Sequence, residues 1–202
     1  TGEMLFSETA SEIANWMLSE MRASNGGFFS SLDADSDGKE GLYYLWTPGQ
    51  VKNLLGGEYS IFEKRFGLNT DANFEGKWHL TAKNTIDNED EITSIKKSKK
   101  ILLESRKKRI KPDRDEKQLT SWNALAIKGL AITGRNLNRP ELINFAAKAA
   151  AFVKEKMYVN NRLYASYTHG KVQFPAYLDD HAFMIDALLE LLQSNWQTET
   201  LS

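Results

Sequence analysis

The sequence contains no cysteine in its 202 residues. Disulfide bonds, thiolate nucleophiles and cysteine-ligated zinc are therefore excluded for this chain. Histidine is scarce as well, because only three occur, far apart, and none lies in the HExxH pattern of a zinc-binding helix. No apolar run reaches the length of about 18 residues that a membrane-spanning helix needs. We therefore expect a protein without a membrane span or a thiol site.

Charge of neither sign dominates, since 26 Lys and Arg face 27 Asp and Glu and 41% of the residues are hydrophobic. This balance is typical of a globular domain. One block, residues 92–114, is strongly basic, with ten basic and two acidic side chains. Ile95 and Leu102 run through it at helical spacing, and no aromatic residue is interleaved for base stacking. The block predicts an amphipathic helix with a solvated face, and we expect no nucleic acid partner.

Helix patterns account for most of the chain. Residues 119–136 are apolar nearly all round, which predicts a helix buried on every side. Residues 140–157 are amphipathic, and residues 181–193 are again apolar on most faces. Buried and amphipathic helices that alternate in this way predict two layers of helices.

A faint internal repeat at an offset of 135 residues supports this layered arrangement. Residues 14–18 align with 149–153, and the aromatic segment 28–31 aligns with 163–166. Each copy reads as an amphipathic helix followed by an aromatic-rich hairpin, and a further strand-like run lies at 42–46. Repeated units of this kind indicate stacked or toroidal helical hairpins.

The turn between the first strand-like runs begins like a calcium-binding loop. Asp33, Asp35 and Asp37 alternate, and Gly38 occupies the sixth position, where an EF-hand needs a sharp turn. The bidentate glutamate of the twelfth position is absent, since Tyr44 stands there. A calcium site at the three carboxylates is one interpretation. The other is a polar hairpin turn whose aspartates bond their own backbone.

Acid/base chemistry is best supported at the start of the last helix. Asp179, Asp180 and His181 are consecutive, and paired carboxylates beside an imidazole suit proton transfer. The alternative is that these aspartates cap the helix N-terminus. Tyr177 adds an aromatic ring just upstream.

A second candidate feature lies in the buried helix, where Trp122 and Asn123 are adjacent. An indole platform with a nearby amide and carboxylates is what a sugar-binding cup requires. We therefore predict that Trp122, Asn123 and Tyr177 contact a substrate and that Asp179, Asp180 and His181 are catalytic. The alternative is that Trp122 is a core residue.

Several stretches together resemble one known family. They are 26–36, 40–47, 73–77, 112–125 and 177–183, and they occur in the same order over nearly the whole chain. The family is that of the YyaL-like, spermatogenesis-associated proteins, which carry an N-terminal thioredoxin-like domain. Glu116 and Ala124 stand where the family pattern has Asp and Gly.

The resemblance implies a mainly α fold, a partial α/α toroid of the six-hairpin type with short β-hairpins between helices. Toroids of this type are similar to N-acylglucosamine epimerases and several glycoside hydrolases. The resemblance also implies that residues 1–202 form a single domain, the middle segment of the toroid. The thioredoxin-like domain and the remaining hairpins then lie outside this chain.

The expected function is therefore carbohydrate binding or modification by an epimerase-like or glycosidase-like toroid domain. The alternative is a non-catalytic scaffold that partners a thioredoxin-like domain, and the sequence leaves open whether the chain is an enzyme. Expected partners are a sugar ligand, that domain and, through faces left open, a second copy of the chain. We expect no cofactor other than calcium, no membrane partner and a cytoplasmic location.

Overall fold

The computed structural model describes residues 3–84, 86 and 88–194. The chain divides into two compact units. The described residues within 1–31 and 114–202 form the first unit, and those within 32–113 form the second. Helices joined by short strands make up both units, so the predicted mainly α fold with short β-hairpins is confirmed.

The residues that the structure describes form seven α-helices and eight short strands. The helices are α1 (Met4–Trp16), α2 (Pro48–Leu55), α3 (Tyr59–Phe66), α4 (Glu89–Arg106), α5 (Thr120–Asn136), α6 (Pro140–Phe152) and α7 (Leu178–Ser194). The strands are β1 (Ser31–Leu32), β2 (Asp35–Ser36), β3 (Lys39–Glu40), β4 (Arg114–Asp115), β5 (Gln118–Leu119), β6 (Tyr158–Val159), β7 (Arg162–Thr168) and β8 (Lys171–Pro175). Within the described residues, no helix has the length and apolar character to cross a membrane.

Helices α5 and α7 of the first unit lie side by side and run in the same direction. Lys128 pairs with Asp186 at 2.6 Å, and one to two turns further along Arg135 pairs with Glu190 at 3.0 Å. Since both partners advance together along the sequence, the two helices are parallel. The short connection 137–139 reverses the direction of the chain. Helix α6 follows it and therefore lies between α5 and α7 in the sequence. Stacked helical hairpins, as in the expected toroid, need this connectivity.

Close packing between α5 and α6 depends on Gly134. A Cβ atom at this position would lie 2.7 Å from Cγ1 of Ile143 and 3.0 Å from the carbonyl oxygen of Arg139. A larger residue here would push the two helices apart, because interiors are packed without spare volume.

The expectation that α5 is buried on every side is wrong for one face. Ile127 and Leu130 are buried, whereas Trp122 and Leu125 are 51% and 50% exposed. Its packing against α6 and α7 buries the opposite side, so an apolar stripe remains in contact with solvent. The apolar pattern thus predicted the composition of this face but not its burial.

The internal repeat has a structural counterpart in the first unit. Helix α1 ends in a π-helical turn at Met17–Met21, and α6 ends in one at Val153–Met157, which lies 136 residues later. An antiparallel pairing follows each turn, Arg22 with Phe28 in the first copy and Tyr158 with Leu163 in the second. The two copies therefore share a helix, a π-helical turn and a hairpin.

A small antiparallel sheet lies at the N-terminal end of α5. Strand β7 pairs with β5, β6 and β8, and Gln118 of β5 is opposite Tyr167 of β7. The Thr120 hydroxyl, in the first residue of α5, donates to the carbonyl of Tyr164 at 2.6 Å. Strand β8 leads directly into α7, so the sheet connects the starts of both helices.

The second unit has its own core around α2, α3 and α4. Its buried residues are Trp46, Val51, Leu55, Phe62, Leu68, Ile95 and Leu102. The basic block 92–114 forms most of α4 and the segment after it, with Ile95 and Leu102 buried and its lysines exposed, as the amphipathic pattern predicts.

The predicted strand at 42–46 is wrong for most of its length, because residues 41–44 form a turn and only Trp46 makes a strand-type pairing, with Trp78. The backbone N–H of Tyr44 donates to the carbonyl of Gly41 at 2.8 Å, and Gly41 has a φ of +67°. The Arg109 guanidinium donates to the carbonyls of Leu42, Tyr43 and Leu45. These carbonyls therefore bond a side chain instead of a neighbouring strand.

Candidate functional site

The candidate site of the first unit is the place where α5, α7 and the β7–β8 hairpin meet, which we call the junction. At its centre lies Asp180, which is 2% exposed. Its Oδ1 accepts a hydrogen bond from the Ser121 backbone N–H at 2.9 Å, and its Oδ2 accepts one from the Tyr177 backbone N–H at 2.9 Å. One carboxylate therefore ties the first turn of α5 to the turn before α7.

This geometry is what the capping alternative predicts for Asp180. Both carboxylate oxygens satisfy backbone amides that the helix starts leave without intrahelical partners. Asp179 and His181, on either side of Asp180 in sequence, are exposed. The junction thus brings together one buried carboxylate with a structural task and two solvent-accessible polar groups. Acid/base catalysis by the three residues stays a prediction.

Asn123, one turn into α5, also forms hydrogen bonds with backbone groups of a distant segment. It is 1% exposed, and its Oδ1 accepts from the Phe28 N–H at 2.7 Å. Its Nδ2 donates to the carbonyl of Phe28 at 3.0 Å and to that of Leu119 at 2.9 Å. Because the amide is occupied on both sides, it fixes the loop before β1 to α5. Orientation of a substrate by Asn123 stays a prediction.

Two exposed aromatic rings stand on this anchored backbone. Trp122 lies between Ser121, held by Asp180, and Asn123, held by Phe28. The ring of Tyr177 is 61% exposed although its backbone N–H is bound to Asp180. An aromatic face presented to water from a fixed backbone is suited to stacking on a ligand.

Ion pairs of the first unit shift the ionisation of exposed groups. A hydrogen bond to Asp186 raises the pKa of the Lys128 ammonium above its ordinary value. The pKa of the Asp115 carboxyl is lowered, because it accepts the Lys117 backbone N–H and pairs with the Lys117 ammonium at 3.0 Å. Both shifts favour the charged form, so these groups contribute surface pairing instead of proton transfer at neutral pH.

The three aspartates of the predicted calcium turn lie in the second unit and are exposed. Asp33 Oδ1 accepts the backbone N–H of Asp35 at 2.9 Å, which is the bond expected of a polar hairpin turn. Asp37 and Gly38, at φ values of +52° and +70°, connect β2 to β3. No three His, Cys, Asp or Glu side chains in the described part of the chain are grouped to hold a metal ion. Calcium binding at Asp33, Asp35 and Asp37 stays one of the two interpretations of this turn.

Sequence reasoning did not single out Phe174 of β8. Its φ is +58°, in the left-handed region, and its side chain is 61% exposed. The Pro175 that follows disfavours a helical backbone at Phe174, but it does not predict a positive φ there, and the segment contains no Asn-Gly pair.

Comparison with known proteins gives relatives over the whole length of the chain. No family model matches the sequence. The chain is 28% identical to human spermatogenesis-associated protein 20, over all of this chain and 31% of that protein. It is 27% identical to the rat protein of the same name, with the same shares covered.

The chain thus spans about a third of the length of the curated relatives it matches. Among solved structures, cellobiose 2-epimerase from Bacillus thermoamylovorans B4167 aligns with 98% of this chain and 53% of its own, at 10% identity and a TM-score of 0.41. The sequence matches confirm the resemblance inferred from the motifs: this chain is similar, over its whole length, to spermatogenesis-associated protein 20.

Proposed function

We propose that the junction binds a carbohydrate. The observation that carries this proposal is the pair of exposed aromatic rings, Trp122 and Tyr177, whose backbone positions are fixed by one buried carboxylate. A sugar ring presents apolar C–H faces that stack on such rings and hydroxyl groups that need a few placed hydrogen bonds. A backbone fixed before binding lowers the ordering cost of capturing the ligand.

Two side chains next to Asp180 in the sequence are of the type that makes such hydrogen bonds. Asp179 and His181 are exposed and flank Asp180 at the start of α7. A carboxylate accepts from sugar hydroxyls, and an imidazole both donates and accepts. If the site is catalytic, these two groups are the acid and base of an epimerase-like or glycosidase-like reaction, and Asp180 fixes the helix start from which they extend.

Binding is tested by thermal melting of the chain, followed by fluorescence, against a panel of mono- and disaccharides. A ligand that binds only the folded state raises its melting temperature. We expect one sugar class to raise it, and Trp122→Ala and Tyr177→Ala to abolish the rise. Trp16→Ala is the matched control, because Trp16 is a 40% exposed tryptophan on α1 of the same unit. No rise with any sugar, or equal loss in the control, contradicts the proposal.

Catalysis is tested separately on the sugar class that binds. We expect His181→Ala and Asp179→Asn to lose conversion of the sugar, followed by NMR of the anomeric protons, while still raising the melting temperature with ligand. Binding by the unaltered chain without any conversion assigns the junction a binding role alone.

A second candidate function is a scaffold that partners a thioredoxin-like domain, and one observation favours it. Helix α7 buries Met184, Ala187 and Leu191 on one face. On the opposite face Ile185 and Leu189 are 61% and 53% exposed. An apolar helix face of this kind is typical of a surface that packs on another protein.

Light scattering tests a separate expectation for the same face, the association of two copies of the chain. We expect a concentration-dependent dimer that Leu189→Lys dissolves, with Lys171→Glu on the exposed end of β8 as the control. A monodisperse monomer at all concentrations contradicts self-association. Binding of a purified thioredoxin-like domain, lost in the same variant, is the corresponding test of the heterologous scaffold.

A further inference from the structure

Phe174 has a backbone conformation that phenylalanine rarely adopts. Its φ of +58° lies in the left-handed region, where the Cβ atom of an L-residue crowds the backbone. The residue lies inside β8, between Gln173, which pairs with Ser166, and Pro175, which pairs with Tyr164. The strain therefore occurs within a strand and not in a turn.

The other non-glycine residues of the described chain in the left-handed region show how unusual this is. Each is a polar residue of a type that tolerates the conformation or stands in a short turn, where such φ values are needed. They are Asp37, Glu75, Asn138, Asn160, Asn161 and His169. Phe174 alone among them is apolar and aromatic, and its neighbours on both sides continue the ladder.

Burial does not offset this strain. The side chain of Phe174 is 61% exposed, so most of its apolar surface remains in water. A bulky residue that is both strained and exposed contributes little to stability at its position. Strained positions of this kind cluster where a protein binds a ligand.

Phe174 also belongs to the junction by its connections. Its neighbour Pro175 is opposite Tyr164, whose carbonyl accepts the hydroxyl of Thr120 at the start of α5. Two residues after Pro175 comes Tyr177, bound through its backbone N–H to Asp180. The chain from Phe174 to Tyr177 is therefore fixed to the start of α5 at one end and to Asp180 at the other.

We infer that Phe174 is a third aromatic contact of the ligand at the junction, beside Trp122 and Tyr177. This inference rests on the proposed carbohydrate-binding function. The left-handed backbone presents the ring at a position that an ordinary strand conformation would not give it, and the ring supplies a further apolar face for a sugar.

Two substitutions separate strain from ligand contact. Glycine adopts the left-handed region without crowding, whereas alanine keeps the Cβ atom and loses only the ring. We expect Phe174→Gly to melt about 2–4 °C above Phe174→Ala in the absence of ligand. We expect both variants to bind the sugar found for the unaltered chain roughly tenfold more weakly, as measured by calorimetric titration. Phe183→Ala on α7 is the control, since Phe183 is 38% exposed and not strained.

The outcomes distinguish a failure of the proposed function from a failure of the inference on Phe174. If the unaltered chain binds no sugar, the proposed function fails and this assignment fails with it. If the unaltered chain binds but Phe174→Ala binds equally well, only the inference on Phe174 fails. If Phe174→Gly melts no higher than Phe174→Ala, the strain that motivates the inference is absent and the inference is overturned.

Discussion

Both units contain side chains that hydrogen-bond to backbone amides, and the two sets of side chains differ in how deeply they are buried. Asp180 in the first unit and Asp33 in the second each accept backbone N–H groups close to their own position. The side-chain amides of Asn123 and Asn73 each form hydrogen bonds with both the backbone N–H and the carbonyl of one other residue. The first member of each pair is almost fully buried, and the second is exposed.

Burial decides the cost of losing these hydrogen bonds, because water competes with the side chain for the same backbone amide. When an exposed acceptor is removed, solvent takes its place at the freed amide, and the net cost is small. When a buried acceptor is removed, the amide is left without a partner, and its desolvation is no longer compensated. The two matched pairs therefore separate hydrogen bonds that hold the fold from those that only shape a turn.

The largest expected effect is that of Asp180→Ala. It leaves the N–H groups of Ser121 and Tyr177 without an acceptor, and we expect a loss of about 2–4 kcal/mol in the free energy of unfolding. Asp33→Ala frees only the exposed N–H of Asp35, with an expected loss within about 0.5 kcal/mol. Urea unfolding followed by circular dichroism measures both.

Asp180→Asn keeps the experiment informative if the alanine variant does not fold. It retains one oxygen acceptor, so its stability should lie between those of the unaltered chain and the alanine variant. Asp179→Ala is the control on the same helix, because Asp179 is exposed. Equal losses for Asp180→Ala and Asp179→Ala would contradict the structural role of the buried carboxylate.

The asparagine pair gives the next largest effect. Asn123→Ala removes three hydrogen bonds from a side chain that is 1% exposed, and we expect a loss of about 1–3 kcal/mol. Asn73→Ala removes the two hydrogen bonds to the backbone N–H and carbonyl of His79, at an exposed position. There we expect at most about 0.5 kcal/mol. Similar losses at both sites would show that burial does not decide the cost.

Part of this contrast was predictable from the sequence. The residue types marked Asn123 and Asp180 as unusual in apolar helices, and capping was an open alternative for the latter. Their partners were not predictable, because Asn123 binds Phe28 across 95 residues and Asp180 binds Ser121 across 59. Periodicity describes one helix at a time and carries no information on which distant backbone amide needs an acceptor.

The prediction of helices was more reliable than that of short strands and exposure. The apolar pattern identified α5 but not the exposed face that carries Trp122 and Leu125. The aromatic run at 42–46 suggested a strand, and the guanidinium of Arg109 determines its turn instead. Phe174 gave no signal, because phenylalanine is not among the residue types, such as Asn, Asp and His, that are enriched at positive φ.

The exposed turn of the second unit gives a smaller test. Since Asp33 already bonds the Asp35 backbone and the three carboxylates are not grouped, we expect calorimetry to show no saturable heat with calcium up to millimolar concentrations. Saturable binding that Asp35→Asn removes would assign a cation site to the turn. In that case Asp33, the exposed aspartate of the pair Asp180 and Asp33, would be the one that lies in a ligand site.

The smallest expected effect is that of the exposed ion pair between α5 and α7. The pKa of Lys128 is raised by its hydrogen bond to Asp186, so the folded state holds this proton more tightly than the unfolded chain does. Its contribution to stability is therefore fully present below pH 10.5, the ordinary lysine value, and is lost as the pH rises through the raised pKa. We expect Lys128→Met to lower the melting temperature slightly at pH 8 and to match the unaltered chain at the highest pH. A difference that persists unchanged at high pH would mean that Lys128 acts through the packing of its aliphatic stem and not through its charge.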